Sequence, residues 1–135
     1  MVFIGSYMKL AHMIRIAALL LFSVCAQAKI TQIEPQVLLN KIDNQQTLAI
    51  LDVRSEQEFL ESHIQGAINI PYDQLVQNKE RIAQYKTQPL VIYCRSGRRA
   101  HIAYQTLQGL GFNQLMDLKG HINLWQKLDF PLVTQ

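Results

Sequence analysis

Six residues in the second half of the chain, Cys94-Arg95-Ser96-Gly97-Arg98-Arg99, set one thiol among three guanidinium groups with no acid between them. Positive charge and backbone amides directed at a cysteine favour its thiolate, the nucleophilic form. The same groups attract an anionic substrate. Gly97 permits the tight backbone path on which successive N–H groups converge on one point and form an anion cradle. A cysteine at a strand end is commonly just a small buried apolar residue, but three neighbouring arginines fit that reading poorly. At a helix start they also oppose the helix dipole, and an arrangement that costs local stability points to use.

Such a loop needs a buried strand before it and a helix after it. Leu90 to Tyr93 reads as the strand, and Ile102, Ala103, Leu107 and Leu110 recur at helical intervals in a helix that starts near Arg99 and ends at Gly111. Leu48 to Asp52 reads as a second buried strand, followed by a capping box, Ser55-Glu-Gln-Glu58, that opens another helix. Thr31 to Asn40 is expected to form a short helix with Pro35 in its first turn. Gly66 to Pro71 fits a short strand and turn, Tyr72 to Ala83 a loosely helical stretch, Leu115-Met116 a strand, and Ile122 to Leu128 a last helix with Trp125 in the core. Strands alternating with helices predict one α/β domain, with a largely parallel central sheet flanked by helices on both faces. Ligands bind such sheets at the carboxyl ends of the strands, where Cys94 falls.

A chain of 135 residues, 49% hydrophobic and 17% charged, suits one core and one domain. Residues 1–28 read as a secretory signal peptide: Lys9 and Arg15 are their only charges, an apolar run from Ile16 to Val24 follows, and Ala26-Gln-Ala28 is a small-x-small cleavage site. Any of Met1, Met8 and Met13 could start it. An uncleaved anchor is the alternative, although the apolar run is short of the roughly 20 residues that span a bilayer. Cleavage after Ala28 predicts a periplasmic or secreted domain over residues 29–135, with Cys94 as its one cysteine because Cys25 leaves with the leader. It also takes the 13 basic residues to eleven against 10 acidic ones, so net charge suggests neither nucleic-acid nor membrane-surface binding. An unpaired thiol in an oxidising compartment is a candidate working thiol.

The chain as a whole resembles the single-domain rhodanese family. The resemblance rests on Leu51-Asp-Val-Arg-Ser-Glu-Gln-Glu-Phe59, His63-Ile-Gln-Gly-Ala-Ile-Asn-Ile-Pro71, Val91-Ile-Tyr-Cys-Arg-Ser-Gly-Arg-Arg-Ala100, and Leu118-Lys-Gly-His-Ile-Asn-Leu-Trp125 with Pro131, in that order. Within the family it is similar to small exported thiosulfate sulfurtransferases of the phage shock protein E type. The resemblance implies that Cys94 takes the outer sulfur of thiosulfate as a persulfide and passes it to cyanide or another thiophilic acceptor. It assigns anion binding to Arg95, Ser96, Gly97, Arg98 and Arg99, and support of the loop to Asp52 and Arg54, with Glu58 as another possible partner for Arg54. No cofactor is implied. Where the family often has Gly-Gly before the last helix, this chain has Gly120-His121.

Three other readings compete with this one. A cysteine phosphatase needs arginine six positions after the cysteine, and that position is Ala100. An arsenate reductase would use the same anion cradle, and a non-catalytic module would have little reason to keep Cys94. His63 matches a position usually read as structural, and the four scattered histidines with one cysteine do not make a metal site.

Overall fold

Hydrophobic alternation along two short strands organises the whole molecule. In the computed structural model, which describes residues 30–135, Leu90–Tyr93 forms strand β4 and all four of its side chains are buried. Leu90 and Ile92 point into one apolar cluster and Val91 and Tyr93 into another, as the twofold repeat of a strand with both faces covered requires. Strand β2, Ala49–Asp52, does the same with Leu51 on the first side and Ile50 on the second.

These strands lie at the centre of a five-stranded, wholly parallel sheet of order β1-β5-β4-β2-β3. Its other members are β1 (Thr31–Ile33), β3 (Ala67–Asn69) and β5 (Leu115–Leu118). Helix α3 (Arg98–Gly109) covers the first face through Ala100, Ala103, Tyr104 and Leu107. Helices α1 (Pro35–Asp43) and α4 (His121–Lys127) cover the second through Leu38, Ile122 and Trp125. Trp125 is core, as expected: its Nε1 donates to Pro131 O at 3.0 Å, and Phe130 meets it edge-on. Among the described residues no helix is long and apolar enough to cross a membrane.

Two local expectations are corrected. Thr31–Ile33 is strand rather than the start of a helix, because it finds a partner edge in Met116–Leu118 of β5; the helix begins at Pro35, in the first helical turn where its missing N–H costs nothing. The loosely helical stretch after Tyr72 is two 3-10 segments, Tyr72–Gln74 and Lys79–Tyr85, which anchor themselves through Leu75 and Ile82. The capping box forms as read and opens α2 (Glu56–Glu61). The leader assigned to residues 1–28, with Cys25, lies outside the described residues.

Candidate active site at the end of the central strand

Strand β4 delivers Cys94 to the carboxyl edge of the sheet, and α3 begins four residues later. Between them Gly97 adopts φ +122°, a conformation open to glycine and strained for any residue with a Cβ. Its N–H donates to Cys94 Sγ at 3.1 Å. A Cβ at Gly97 would also stand 2.9 Å from His121 Nε2.

The other side of the loop is held by the start of α4. The Ile122 N–H donates to Cys94 O at 3.1 Å and the Asn123 N–H to Arg95 O at 3.3 Å. In a trans peptide the carbonyl and the next N–H point in opposite directions, so these two bonds turn the amides of Arg95 and Ser96 away from α4 and toward the thiol's side of the sheet. Neither amide donates to a protein acceptor among the described residues. The backbone is thus arranged to receive an anion above the sulfur.

Cys94 is 1% exposed and lies at the floor of a cavity of about 290 Å³. Tyr72, Arg95, Ser96, Arg98, Arg99 and Ile102 form its walls. Arg95, Ser96 and Arg98 are exposed. A larger depression of about 680 Å³ runs along α2 and β3 and shares Tyr72 and Arg99 with this cavity, but it does not reach the thiol.

Arg99 is committed to a partner. Its Nη1 and Nη2 donate to Glu58 Oε2 and Oε1 at 2.6 and 2.9 Å, a bidentate pair that ties the loop to α2. Glu58 also accepts from the Ser55 N–H and hydroxyl. The Arg99 hydrogen bonds, joined by those from Ser55, outweigh the opposing effect of partial burial and hold the Glu58 carboxyl down to about 2. The pairing with Glu58 in turn raises the affinity of Arg99 for its proton. Glu58 is therefore the partner of Arg99 and not of Arg54, and Arg99 reaches the cavity as a braced wall.

Asp52 and Arg54 stand beside the loop because β2 and β4 pair with Asp52 opposite Tyr93. Arg54 donates to Asp52 through Nη2 at 2.6 Å and Nε at 3.0 and 3.1 Å, and to Ser62 O at 2.7 Å. Both residues are buried, and the guanidinium lies over the Tyr93 ring. Burial disfavours the charge on Arg54, but the hydrogen bonds and charge of Asp52 outweigh it and the group stays protonated. Burial, with Asp52 nearby, pushes the Tyr93 phenol up, so Tyr93 stays neutral and its oxygen accepts from the Ile64 N–H at 3.2 Å. The pair braces the strand ends beside the loop, and neither residue lines the cavity.

His63 stacks on Phe59 and bonds Phe59 O at 2.8 Å, a structural role as its position suggested. Tyr72 was not singled out from the sequence, and neither was the contact of His121 with the loop. No group of three or more metal-ligating side chains is gathered among the described residues.

Residues 34–128 match the rhodanese-like domain family. The chain belongs to the rhodanese family. A sulfurtransferase from Allochromatium vinosum is 26% identical over 105 residues, covering 78% of this rhodanese and 96% of that protein. YqhL of Bacillus subtilis, an uncharacterized protein, is 41% identical over 76 residues, 56% of this chain and 59% of its own. The chain spans only 59% and 52% of YqhL and of the putative sulfur carrier protein YrkF from the same organism. Among solved structures, a rhodanese-related protein from Thermoplasma volcanium superposes with a TM-score of 0.67 at 27% identity, covering 78% of this rhodanese and 99% of that chain.

Proposed function

We propose that this rhodanese is an exported thiosulfate sulfurtransferase that carries sulfur as a persulfide on Cys94. The observation that carries the reading is the Gly97 N–H directed at Cys94 Sγ in a small cavity walled by arginines. An amide donor and nearby cations stabilise negative charge on sulfur and receive an anionic donor at the same place. The Cys94 thiolate attacks the outer sulfur of thiosulfate, and the S–S bond to the sulfonate breaks with its electron pair leaving on sulfite. The persulfide then gives that sulfur to cyanide, forming thiocyanate and regenerating the thiolate. Charge balances in both steps, and two easier transfers replace one, with ping-pong kinetics.

Phosphate-ester chemistry is disfavoured by the same geometry. The position six after Cys94, Ala100, is 2% exposed and packed in the core, while Arg99 is occupied by Glu58. The name of the Allochromatium vinosum relative, Sulfurtransferase, agrees with the proposal. Export rests on the leader-like pattern of residues 1–28.

Intact mass of the purified protein before and after thiosulfate tests the proposal. A gain of one sulfur atom, ~32 Da, removed by cyanide and absent from Cys94→Ala, is expected of covalent sulfur transfer. A free, reactive Cys94 that gains no sulfur would exclude thiosulfate as the donor.

A further inference from the structure

The last helix begins with an unusual residue for its backbone. His121 has φ +53°, in the left-handed region where residues bearing a Cβ are uncommon. The chain accepts this at the position where the family often has glycine. The ring it introduces is 5% exposed and lies under the thiol loop. Its Nδ1 takes the hydrogen bond of the Cys94 N–H at 3.3 Å, and its Nε2 packs below Gly97.

We infer that His121 is a positioning residue for sulfur transfer: its neutral imidazole anchors the Cys94 amide from below and so holds the loop that presents the thiol. The inference rests on the reading of Cys94 as the sulfur carrier. A backbone N–H can only donate, so Nδ1 must be the unprotonated nitrogen and Nε2 must carry the proton. Asp117 Oδ1, 3.7 Å from Nε2, favours that tautomer. The histidine side chain and the two α4 amides make three bonds to two consecutive loop residues. The side-chain bond is the only one of the three that protonation can break, because imidazolium has no acceptor.

The groups around the ring set the direction of the pH effect. Burial disfavours the charged ring and Asp117 opposes this, leaving His121 below its ordinary value of 6.5. The loop above the ring carries Cys94, Arg95 and Arg98, and both arginines are exposed to solvent. Lys119, on the turn before α4, is paired with Glu34 instead. The folded state therefore binds fewer protons than the unfolded chain, so the stability that goes with the neutral ring is complete above 6.5 and is lost as pH falls through the lower value of the folded ring.

The test compares wild type, His121→Ala and His121→Asn. Asparagine tolerates the left-handed backbone and can place an acceptor near Nδ1. Persulfide formation from thiosulfate is timed by mass between pH 5 and pH 8, and exchange of the Cys94 amide and the ¹⁵N shifts of the His121 ring are followed by NMR. The expected result is a bare Nδ1 above pH 7, with exchange protection of the Cys94 amide lost in His121→Ala and kept in His121→Asn. Loading should fall about tenfold in the alanine variant, recover in the asparagine variant, and lose its His121-dependent acid limb there, as deletion of one buried hydrogen bond implies. A ring protonated on Nδ1 above pH 7, or an alanine variant with wild-type amide protection and rate, would overturn the inference. If wild type takes up no sulfur, the sulfurtransferase reading fails, while the tautomer, the amide exchange and the rate of Cys94 alkylation still decide the role of His121.

Discussion

Arg99 and Glu58 lie 41 residues apart in the chain and meet as a bidentate ion pair whose contacts are 2.6 and 2.9 Å. The pair joins the first turn of α3 to the capping box of α2, so one carboxylate both caps a helix and braces the thiol loop. Positive charge at the start of α3 is unfavourable to the helix dipole, and Glu58 offsets that for Arg99 without removing the guanidinium from the cavity wall.

Replacing Glu58 by Gln removes the charge and one acceptor from this network. The Glu58 carboxyl is held down to about 2, below an ordinary 4.5, so its contribution to stability is complete above 4.5 and lost as pH falls through about 2. Because both side chains are about a quarter exposed, the expected loss is about 1–2 kcal/mol rather than the full value of the shift. Urea melts of wild type and Glu58→Gln should differ by that amount at pH 7 and converge near pH 2. Equal stabilities at pH 7 would remove the brace.

Arg54→Ala leaves the buried Asp52 carboxyl without its partner. Breaking a buried pair in this way costs about 3–5 kcal/mol, far more than a surface pair. Neither side chain touches the cavity, so sulfur loading per folded molecule should stay within about threefold of wild type, roughly 0.7 kcal/mol in barrier height. Thermal denaturation together with persulfide mass measurement separates the two effects. A folded variant that cannot load sulfur would give Arg54 a direct part in the chemistry.

Gly97→Ala introduces a Cβ at φ +122° and 2.9 Å from His121 Nε2. Strain of this kind costs about 1–3 kcal/mol, and the loop relieves it most readily by turning its N–H away from Cys94 Sγ. Loading of sulfur should fall by more than tenfold, about 1.4 kcal/mol of barrier, in protein that remains folded by circular dichroism. Wild-type loading would show that the Gly97 amide is not needed at the sulfur.

Arg95 and Arg98 are exposed walls of the cavity, and among the described residues neither is in an ion pair. Arg95→Ala and Arg98→Ala should raise KM for thiosulfate several-fold with kcat within about twofold, and the effect should shrink in high salt, as expected of screened attraction. Steady-state kinetics at low and high ionic strength would check this. A fall in kcat at unchanged KM would place these groups at the transition state instead.

Much of this molecule is written in local pattern. The continuous apolar runs at Ala49–Asp52 and Leu90–Tyr93 specify strands buried on both faces. Of the residues read at helical intervals in α3, Ala103 and Leu107 do lie on the face laid on the sheet, whereas Ile102 is exposed at the cavity wall and Ala100 and Tyr104 complete the buried face. The composition of Cys94 to Arg99 states its own chemistry, because a thiol, three arginines and a glycine at a strand-to-helix turn leave few other uses. The Ser55–Glu58 box is legible for the same reason, since donor and acceptor are three residues apart.

What could not be read depends on partners distant in the chain. Thr31–Ile33 becomes a strand only because Met116–Leu118 offers it an edge 85 residues away. The sequence offers Glu58 only Arg54 as a partner, but Asp52 takes that guanidinium from two residues away and the fold brings Arg99, 41 residues away, to Glu58. His121 acquires its contact with Cys94 through the parallel packing of β5 beside β4, which carries the start of α4 beneath the loop. Which groups could do chemistry and where the chain turns can be read without the fold, because those are properties of neighbouring residues. The tertiary structure decided which charges are paired, which way the loop amides point and which histidine lies under the thiol, because hydrogen bonds and ion pairs act over a few ångströms and only the folded sheet brings those atoms that close.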